Sequence, residues 1–119
     1  MLSVGIDLIE IPRFMNKGKS FYQKVFSQRE LEFLNSLKPQ QRVQSAAARF
    51  AAKEAFGKAI KTGIFKFSLC EVEVLKEESG AVYLSLSGKA KELAEGYTFS
   101  VSLTHTVNYA SAVVTAQKD

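Results

Sequence analysis

The chain has 119 residues, of which 46% are hydrophobic and 24% are charged, and its 16 basic and 12 acidic residues give a formal charge of +4. This composition is typical of a folded protein and excludes wholesale disorder. The length argues against two independent domains, so we expect one domain over residues 1–119. Because Cys70 is the single cysteine, an intramolecular disulfide and a four-cysteine zinc site are excluded. We therefore expect the protein to be located in the reducing cytoplasm.

The amino terminus does not resemble a secretory signal, because it lacks a basic leading segment and Asp7, Glu10 and Arg13 interrupt its apolar residues. No uncharged stretch approaches the ~20 apolar residues that a membrane-spanning helix needs. We expect neither a signal peptide nor an integral membrane segment, and no membrane partner.

The first predicted element is a half-buried strand over residues 2 to 9, where apolar side chains alternate with small or polar ones. This alternation places Asp7 on the same face as Gly5. The apolar row on the other face consists of Leu2, Val4, Ile6 and Leu8.

Two helices are predicted next. Ser27 lies three residues before Glu30, which is a capping-box pattern for a short helix that ends near a turn at Lys38-Pro39. From about Gln40 to Lys61 the chain is rich in alanine, whose high helix propensity favours one long helix that Gly63 closes.

The second half of the chain predicts two pairs of strands separated by a short helix. We expect an α+β fold, with antiparallel strands packed on one long and several short helices. The predicted elements are strands Cys70 to Leu75 and Val82 to Leu86 joined through Gly80, a helix from Ser87 or Gly88 to Glu95, and strands Thr98 to His105 and Tyr109 to Thr115.

Basic residues are concentrated between positions 11 and 53, where nine bases and two acids give a charge of +7. Clustered charge attracts a polyanion or an acidic protein, although an ordinary solvated surface explains charge alone equally well. The nine bases are Arg13, Lys17, Lys19, Lys24, Arg29, Lys38, Arg42, Arg49 and Lys53.

Asp7 is the first candidate functional residue. It lies late in the first strand, two residues after Gly5 on one face, and the glycine leaves space for a ligand or an ion. The same spacing is also typical of an ordinary aspartate at a strand end whose carboxylate accepts hydrogen bonds from nearby backbone N–H groups. The pattern alone does not distinguish this interpretation from a binding site.

Glu54 is the second candidate, because it shares a stripe of the long predicted helix with Phe50 and Ala51 and is therefore partly sheltered. The alternative is a surface pair with Lys58, which would contribute only about 0.2–0.5 kcal/mol. Gly57 weakens the helix by about 1 kcal/mol relative to alanine. A glycine there indicates the close approach of another helix or a ligand.

The only histidine, His105, ends an apolar row on a predicted strand. A lone imidazole cannot form a metal site, and a histidine in this setting is more often an ordinary core or surface residue. No strand-to-helix nucleophile elbow is present, which argues against a hydrolase triad.

Asp7 and Glu54, flanked by bases and without a cysteine or histidine cluster, suit a hard cation such as Mg²⁺. That ion takes one or two protein carboxylates and completes its shell with waters and substrate phosphate, so the pair indicates phosphate chemistry. The chain has no GxxxxGK[ST] loop and no GxGxxG fingerprint, which argues against an ordinary nucleotide triphosphatase or dinucleotide enzyme.

At these residues the sequence resembles the holo-acyl-carrier-protein synthases, the small trimeric type of 4′-phosphopantetheinyl transferase. Residues 5–13 fit the family's amino-terminal GxDxxxxxR pattern and residues 49–59 fit its RFAxKEAxxKA block. Residues 100–106 fit its carboxy-terminal serine-and-histidine strand. The order and separation of the segments also match, so the resemblance spans nearly the whole chain and implies the 4′-phosphopantetheinyl transferase-like fold.

The resemblance implies Mg-dependent transfer of the phosphopantetheine arm of coenzyme A to a serine of apo-acyl carrier protein, for fatty acid biosynthesis, releasing adenosine 3′,5′-bisphosphate. It implies that Asp7 and Glu54 hold Mg²⁺ against the coenzyme A pyrophosphate, while Lys58 neutralises charge on the leaving group. The other coenzyme-binding residues that it implies are Arg49, Lys53 and His105, with His105 lining the pocket.

The resemblance also implies that Arg13, Lys17, Lys24 and Arg29 face the acidic carrier protein, in agreement with the charge of +7 on residues 11–53. In the family the active sites lie between neighbouring subunits of a trimer, so we expect a homotrimer.

Several alternatives stay open at this point. The hydroxyl proton has three candidate acceptors, namely Asp7, a water on the metal and His105. A basic RNA- or DNA-binding module would use the same charged segment, but no nucleic-acid-binding signature is present and we expect no nucleic acid partner. A purely structural homo-oligomer would leave Glu54 without a purpose.

Overall fold

A single helix of 21 residues, α4 (Pro39–Ala59), forms the centre of the fold. The computed structural model describes residues 1–119. The other helices are α1 (Ile11–Phe14), α2 (Lys19–Val25), α3 (Gln28–Asn35) and α5 (Gly88–Leu93), with 3₁₀ turns at Ile64–Lys66 and Leu69–Glu71. The strands are β1 (Leu2–Glu10), β2 (Val72–Lys76), β3 (Val82–Leu86), β4 (Tyr97–His105) and β5 (Tyr109–Lys118).

The bounds of α4 follow from local chemistry. Pro39 occupies the first turn, where its missing N–H costs no hydrogen bond and its fixed φ suits the helix. Alanines then dominate the buried side of the helix. The chain leaves the helical conformation at Lys61 and Gly63, which both have positive φ, 64° and 67°.

The strands form two antiparallel sheets. The larger has the order β1-β5-β4, with Asp7 opposite Ala112 and His105 opposite Ala110. The smaller is the hairpin β2-β3, whose turn contains Gly80 at φ 94°. Both β1 and β4 are edge strands of the larger sheet, with β5 between them.

Helix α4 packs on the inner face of the larger sheet, and small side chains line the contact. From β5 it meets Ala110, Ala112, Val114 and Ala116, which are all buried. On β1, a Cβ atom added to Gly5 would overlap the carbonyl oxygen of Ala55 and would lie 2.8 Å from the nitrogen of Ala59. Only glycine at position 5 therefore allows β1 to approach the helix this closely.

The outer face of β1 reverses the usual arrangement of a half-buried strand. The row that contains Gly5 and Asp7 faces the helix, as its lower exposure shows. The apolar row lies outward and is 61–67% exposed; it consists of Leu2, Val4, Ile6 and Leu8. The predicted alternation is present, but the face that meets the core is the small and polar one.

The predicted α+β fold, with antiparallel strands on one long and several short helices, is confirmed. The capping box of Ser27 and Glu30 is formed at the start of α3. Helices α1 and α2 were not predicted, because residues 11–26 carry only short helical segments without strong caps. Cys70 lies in a 3₁₀ turn instead of a strand, and no helix is both long and apolar enough to cross a membrane.

We expect Gly5→Ala to lower the free energy of unfolding by about 3 kcal/mol, because the new methyl group meets helix backbone that cannot move aside easily. Urea denaturation at fixed protein concentration measures this. Gly18→Ala is the matched control, since a Cβ atom there meets nothing within 4 Å and its φ is −96°. Equal stability of the two variants would contradict a tight contact between β1 and α4.

Candidate active site

The contact between β1 and α4 brings Asp7, Glu54 and Lys58 together. The Lys58 ammonium donates to Asp7 Oδ1 at 3.1 Å and to the carbonyl oxygen of Ile6 at 3.0 Å. The Lys58 side chain is 53% exposed, whereas that of Asp7 is only 12% exposed. The cluster therefore lies at the surface, with the aspartate on its inner side.

The second carboxylate oxygen of Asp7, Oδ2, is buried and has no hydrogen-bond partner. Buried polar atoms in folded proteins almost always have one, and an unpaired oxygen of a charged group costs stability. Backbone donors do not satisfy this side chain, since its only hydrogen bond comes from Lys58. An atom of this kind is suited to bind a cation.

Glu54 is half-buried on α4, and it does not form the surface ion pair with Lys58 that its spacing allowed, because Lys58 bonds to Asp7 instead. Burial raises the pKa of the Glu54 carboxyl, and the negative charge of Asp7 raises it further, while Lys58 opposes both effects. The two carboxylates are thus close enough to repel each other, and a positive charge between them would relieve that repulsion.

These donors fit a magnesium ion better than a softer or more demanding metal. No group of three or more histidine, cysteine, aspartate or glutamate side chains in the protein could hold a metal. Two carboxylates suffice for Mg²⁺, which retains waters and takes further oxygens from substrate phosphates. A structural zinc ion needs four ligands and does not fit this set.

Gly57 was predicted to allow the close approach of a helix or a ligand, and the neighbour is the loop that follows its own helix. The Gly57 carbonyl accepts hydrogen bonds from the backbone nitrogens of Thr62 and Gly63 at 3.0 and 3.2 Å. A Cβ atom on Gly57 would lie 2.9 Å from the Gly63 backbone. The glycine therefore lets this loop fold back beside the turn of α4 that carries Lys58.

Lys53 does not lie with this cluster, although it precedes Glu54 in the chain. Its side chain is fully buried and its ammonium donates to Glu30 Oε1 at 2.7 Å. Two more donations reach the carbonyl oxygens of Val72 and Leu69 at 2.6 and 3.0 Å. All three N–H groups are used within the protein, so Lys53 connects α4 to α3 and β2 and presents no donor to a ligand.

Arg49 and His105 line a different part of the molecule, a cavity of about 670 Å³ between α4, the β2-β3 hairpin and β4. Arg49 is only 5% exposed, and burial lowers the pKa of its guanidinium, with Glu30 opposing this effect. His105 is exposed at the end of β4. Within one chain, strand β5 separates the strand of His105 from that of Asp7.

Part of the charge of residues 11–53 is engaged in contacts within the protein. Arg29 donates through Nε and Nη2 to both carboxylate oxygens of Glu73, at 3.1 and 2.6 Å, and these hydrogen bonds lower the pKa of Glu73. Arg42 donates to backbone carbonyls at the end of α3, and Lys53 is internal. Arg29 stays 60% exposed despite its ion pair. The other exposed bases of this segment are Arg13, Lys17, Lys19, Lys24 and Lys38.

The cavity has two lining residues that sequence reasoning missed, Phe33 and Lys76. The sequence pattern could have indicated Lys76, because it ends the face of β2 that begins with the buried Val72 and Val74. His105 ends the apolar face of β4 in the same way. No comparable signal pointed to Phe33, whose place depends on how α3 packs on α4.

A match to a known family agrees with this geometry. The sequence model of the 4′-phosphopantetheinyl transferase superfamily matches residues 3–114. The chain belongs to this superfamily. The predicted family and enzyme class, a phosphopantetheinyl transferase of the holo-[acyl-carrier-protein] synthase type, are confirmed.

The phosphopantetheinyl transferase is 45% identical over 117 residues to the holo-[acyl-carrier-protein] synthase of Ruminiclostridium cellulolyticum, covering 92% of this chain and 87% of that one. It is 35% identical to the Caldicellulosiruptor saccharolyticus enzyme, over 100% of this chain and 98% of that one. Among solved structures, the Bacillus anthracis holo-(acyl-carrier-protein) synthase in complex with CoA (3′,5′-ADP) superposes with a TM-score of 0.87 at 30% identity, covering 98% of this chain and 96% of that one.

We expect Lys53→Met in this transferase to lower the free energy of unfolding by about 3–5 kcal/mol, because Glu30 is left buried without its counter-charge. The double variant Glu30→Gln/Lys53→Met should lose less than Lys53→Met alone, since no unpaired charge remains. Urea denaturation of the two variants tests this. A stable Lys53→Met protein with weakened coenzyme A binding would instead support the predicted ligand role of Lys53.

Proposed function

We propose that the chain transfers the 4′-phosphopantetheine group of coenzyme A to a serine hydroxyl of apo-acyl carrier protein, as a step that supplies fatty acid biosynthesis. The observation that carries the proposal is the pair Asp7 and Glu54, two repelling carboxylates with one unpaired buried oxygen, beside the ammonium of Lys58. The names of the relatives support the same substrates. The single free cysteine, Cys70, is in keeping with the cytoplasm as the location.

Asp7 and Glu54 are the residues that would hold Mg²⁺. When bound, the ion supplies positive charge that neutralises the pyrophosphate of coenzyme A and favours attack on phosphorus. The unpaired Oδ2 of Asp7 and the repulsion between the two carboxylates support this assignment. All the atoms that Asp7 and Glu54 offer to the ion are carboxylate oxygens, the type of ligand that Mg²⁺ prefers.

The reaction joins the serine oxygen to the phosphorus that carries pantetheine and breaks the bond from that phosphorus to the oxygen of the adenosine-bearing phosphate. Lys58 stabilises the negative charge that collects on the departing adenosine 3′,5′-bisphosphate, because its half-exposed ammonium is free to move from Asp7 to a phosphate oxygen. Two residues of the protein are candidate acceptors for the proton of the serine hydroxyl. Asp7 belongs to this cluster, whereas His105 lies at the end of β4, the other edge strand of the larger sheet.

We propose further that a complete site uses two chains of a homotrimer. Arg49 and Glu54 are five residues apart on α4 and therefore project from different sides of the helix. The cavity with Arg49 and His105 thus faces away from the Asp7 cluster of the same chain. The exposed apolar row of β1 offers a surface for a neighbouring copy, which would bring its own cavity to the cluster.

The acidic carrier protein would approach the bases that remain free at the surface. Lys17 lies exposed just before α2, and Lys24 lies exposed on that helix. Arg13 lies near the end of α1, and its only ionic contact is a solvated one of 3.5 Å between its Nε and Glu10 Oε1. Exposed charges of this kind accelerate encounter and contribute little to the protein's own stability. Arg29 is paired with Glu73, but its side chain is 60% exposed and remains part of this proposed surface.

We expect the purified protein with coenzyme A and Mg²⁺ to add the phosphopantetheine mass to apo-acyl carrier protein, as measured by intact-protein mass spectrometry. Asp7→Asn and Glu54→Gln should each lower the rate at least a hundredfold, because each removes a charged metal ligand. As controls, circular dichroism should show that the variants keep their fold, and native mass spectrometry should show that they keep their assembly. Near-normal turnover of either variant at ordinary Mg²⁺ concentration would contradict the assignment.

Sites shared between chains predict complementation. Asp7→Asn breaks one half of the site, and Arg49→Gln/His105→Ala breaks the other half. When both variants are co-expressed, random assortment in a ring of three should restore about a quarter of the sites. Each variant expressed alone is the control, and a mixture no more active than either variant would show that one chain supplies both halves.

A further inference from the structure

Phe65 is the most exposed large hydrophobic side chain of the protein, at 93%. It belongs to a segment of residues 61–68, between α4 and the 3₁₀ turn at Leu69–Glu71, which we call the Phe65 loop. Single apolar residues are common at protein surfaces, but the other exposed ones in this chain are only 41–74% exposed. The Phe65 ring therefore contacts almost nothing in its own chain.

The residues on both sides of Phe65 are anchored. Before it, the backbone nitrogen of Gly63 donates to the carbonyl oxygen of Gly57 on α4 at 3.2 Å. After it, the buried ring of Phe67 packs edge-on against Phe56, with the ring centroids 5.3 Å apart. Phe65 is thus held in solvent between two fixed neighbours, and its exposure does not result from a loosely attached segment.

The Phe65 loop runs from the proposed reaction centre to the basic surface. Near its start, Gly63 lies against the turn of α4 that carries Lys58. Consecutive Cα atoms are about 3.8 Å apart, so the Cα atom of Phe65 lies within about 8 Å of that of Gly63. Just past the end of the loop, Leu69 packs against Val25 of α2, the helix that carries part of the basic surface. A partner that touches both α2 and the reaction centre therefore lies over this loop.

The Phe65 loop is basic as well as apolar. Lys61 and Lys66 flank Phe65, both are exposed, and neither forms an ion pair. Residues 55–70 contain three lysines and no acidic residue. A surface of this kind fits a partner that offers an apolar contact surrounded by negative charge.

The proposed reaction brings such a partner to this place. The serine oxygen has to reach the phosphorus beside Lys58, so the carrier surface around that serine has to lie on the residues next to the reaction centre. We propose that Phe65 is an anchor that packs on an apolar surface beside the serine of the acidic carrier protein, while Lys61 and Lys66 attract the acids around it. This inference rests on the proposed function.

An aromatic side chain is suited to this role. A phenylalanine ring has two χ angles, so it loses little conformational entropy when a partner fixes it. Aromatic anchors of this kind often supply much of the binding energy of an interface, whereas the charges around them mainly accelerate encounter. We therefore expect the ring to determine the affinity for the carrier and the two lysines to determine its salt dependence.

The test of the ring measures kcat and the KM values for carrier protein and coenzyme A separately. We expect Phe65→Ser to raise KM for the carrier about tenfold, because the apolar contact is lost. The kcat at saturating carrier and the KM for coenzyme A should stay unchanged. Phe65→Leu should keep most of the affinity, because it keeps an apolar side chain. Circular dichroism should show an intact fold, since the ring contributes almost no buried surface.

The test of the charge uses Lys66→Gln, which should raise KM for the carrier about threefold and flatten its dependence on salt. Lys91→Gln is the matched control, since it removes the same charge from an exposed position on α5, outside the Phe65 loop. This control should leave KM for the carrier unchanged. Equal effects of the two substitutions would overturn the assignment of the loop as a contact.

Other occupants of this surface predict different results for Phe65→Ser. A second copy of the chain on the ring predicts a changed native mass, and the pantetheine arm predicts a raised KM for coenzyme A. A membrane predicts that the variant no longer sediments with vesicles of anionic phospholipid, while its KM for the carrier stays normal. Each of these results would overturn the inference.

Direct binding separates this inference from the proposed function. Surface plasmon resonance with immobilised apo-acyl carrier protein measures affinity without any transfer step. A protein that transfers nothing but loses affinity for the carrier in Phe65→Ser would refute the proposed function alone. An active transferase whose affinity for the carrier is the same in Phe65→Ser would refute this inference alone.

Discussion

The close contact between β1 and α4 at Gly5 is the constraint on which the site depends. A side chain at that position would overlap helix backbone, so the strand would have to move outward and take Asp7 with it. Because Asp7 follows Gly5 by two residues, both project toward the helix, and Asp7 meets the turn that carries Glu54 and Lys58. Gly5 thus sets the separation between the charged side chain of Asp7 and those on α4, without contacting either.

Helix α4 carries three cations within ten residues that meet three different environments. Lys53 is internal and bonded to Glu30, Lys58 lies at the surface against Asp7, and Arg49 lines the cavity over Phe33. The spacing along the helix explains the difference, since successive residues point in directions about 100° apart. Sequence order alone does not distinguish these roles; the direction of each side chain does.

The sequence predicted the main elements, because alternation and helix propensity are local patterns, whereas the pairing of Asp7 with Glu54 was implied by the resemblance to a known family. It did not predict which face of β1 meets the core, since an apolar row normally faces inward and here lies outward. It also could not predict the burial of Lys53 or the place of Phe33, which depend on how α3 and β2 pack on α4. Contacts between distant segments leave little trace in local patterns.

The outward apolar row of β1 has a consequence for how the protein matures. If the protein forms the proposed homotrimer, a chain that has folded but not yet assembled presents an edge strand whose backbone groups on one side are unpaired, next to four large apolar side chains. Such edges adhere to one another without regard to register. Assembly of the proposed trimer would therefore compete with aggregation while subunits are newly made, and dilution, which slows assembly, would prolong the time during which this strand is exposed.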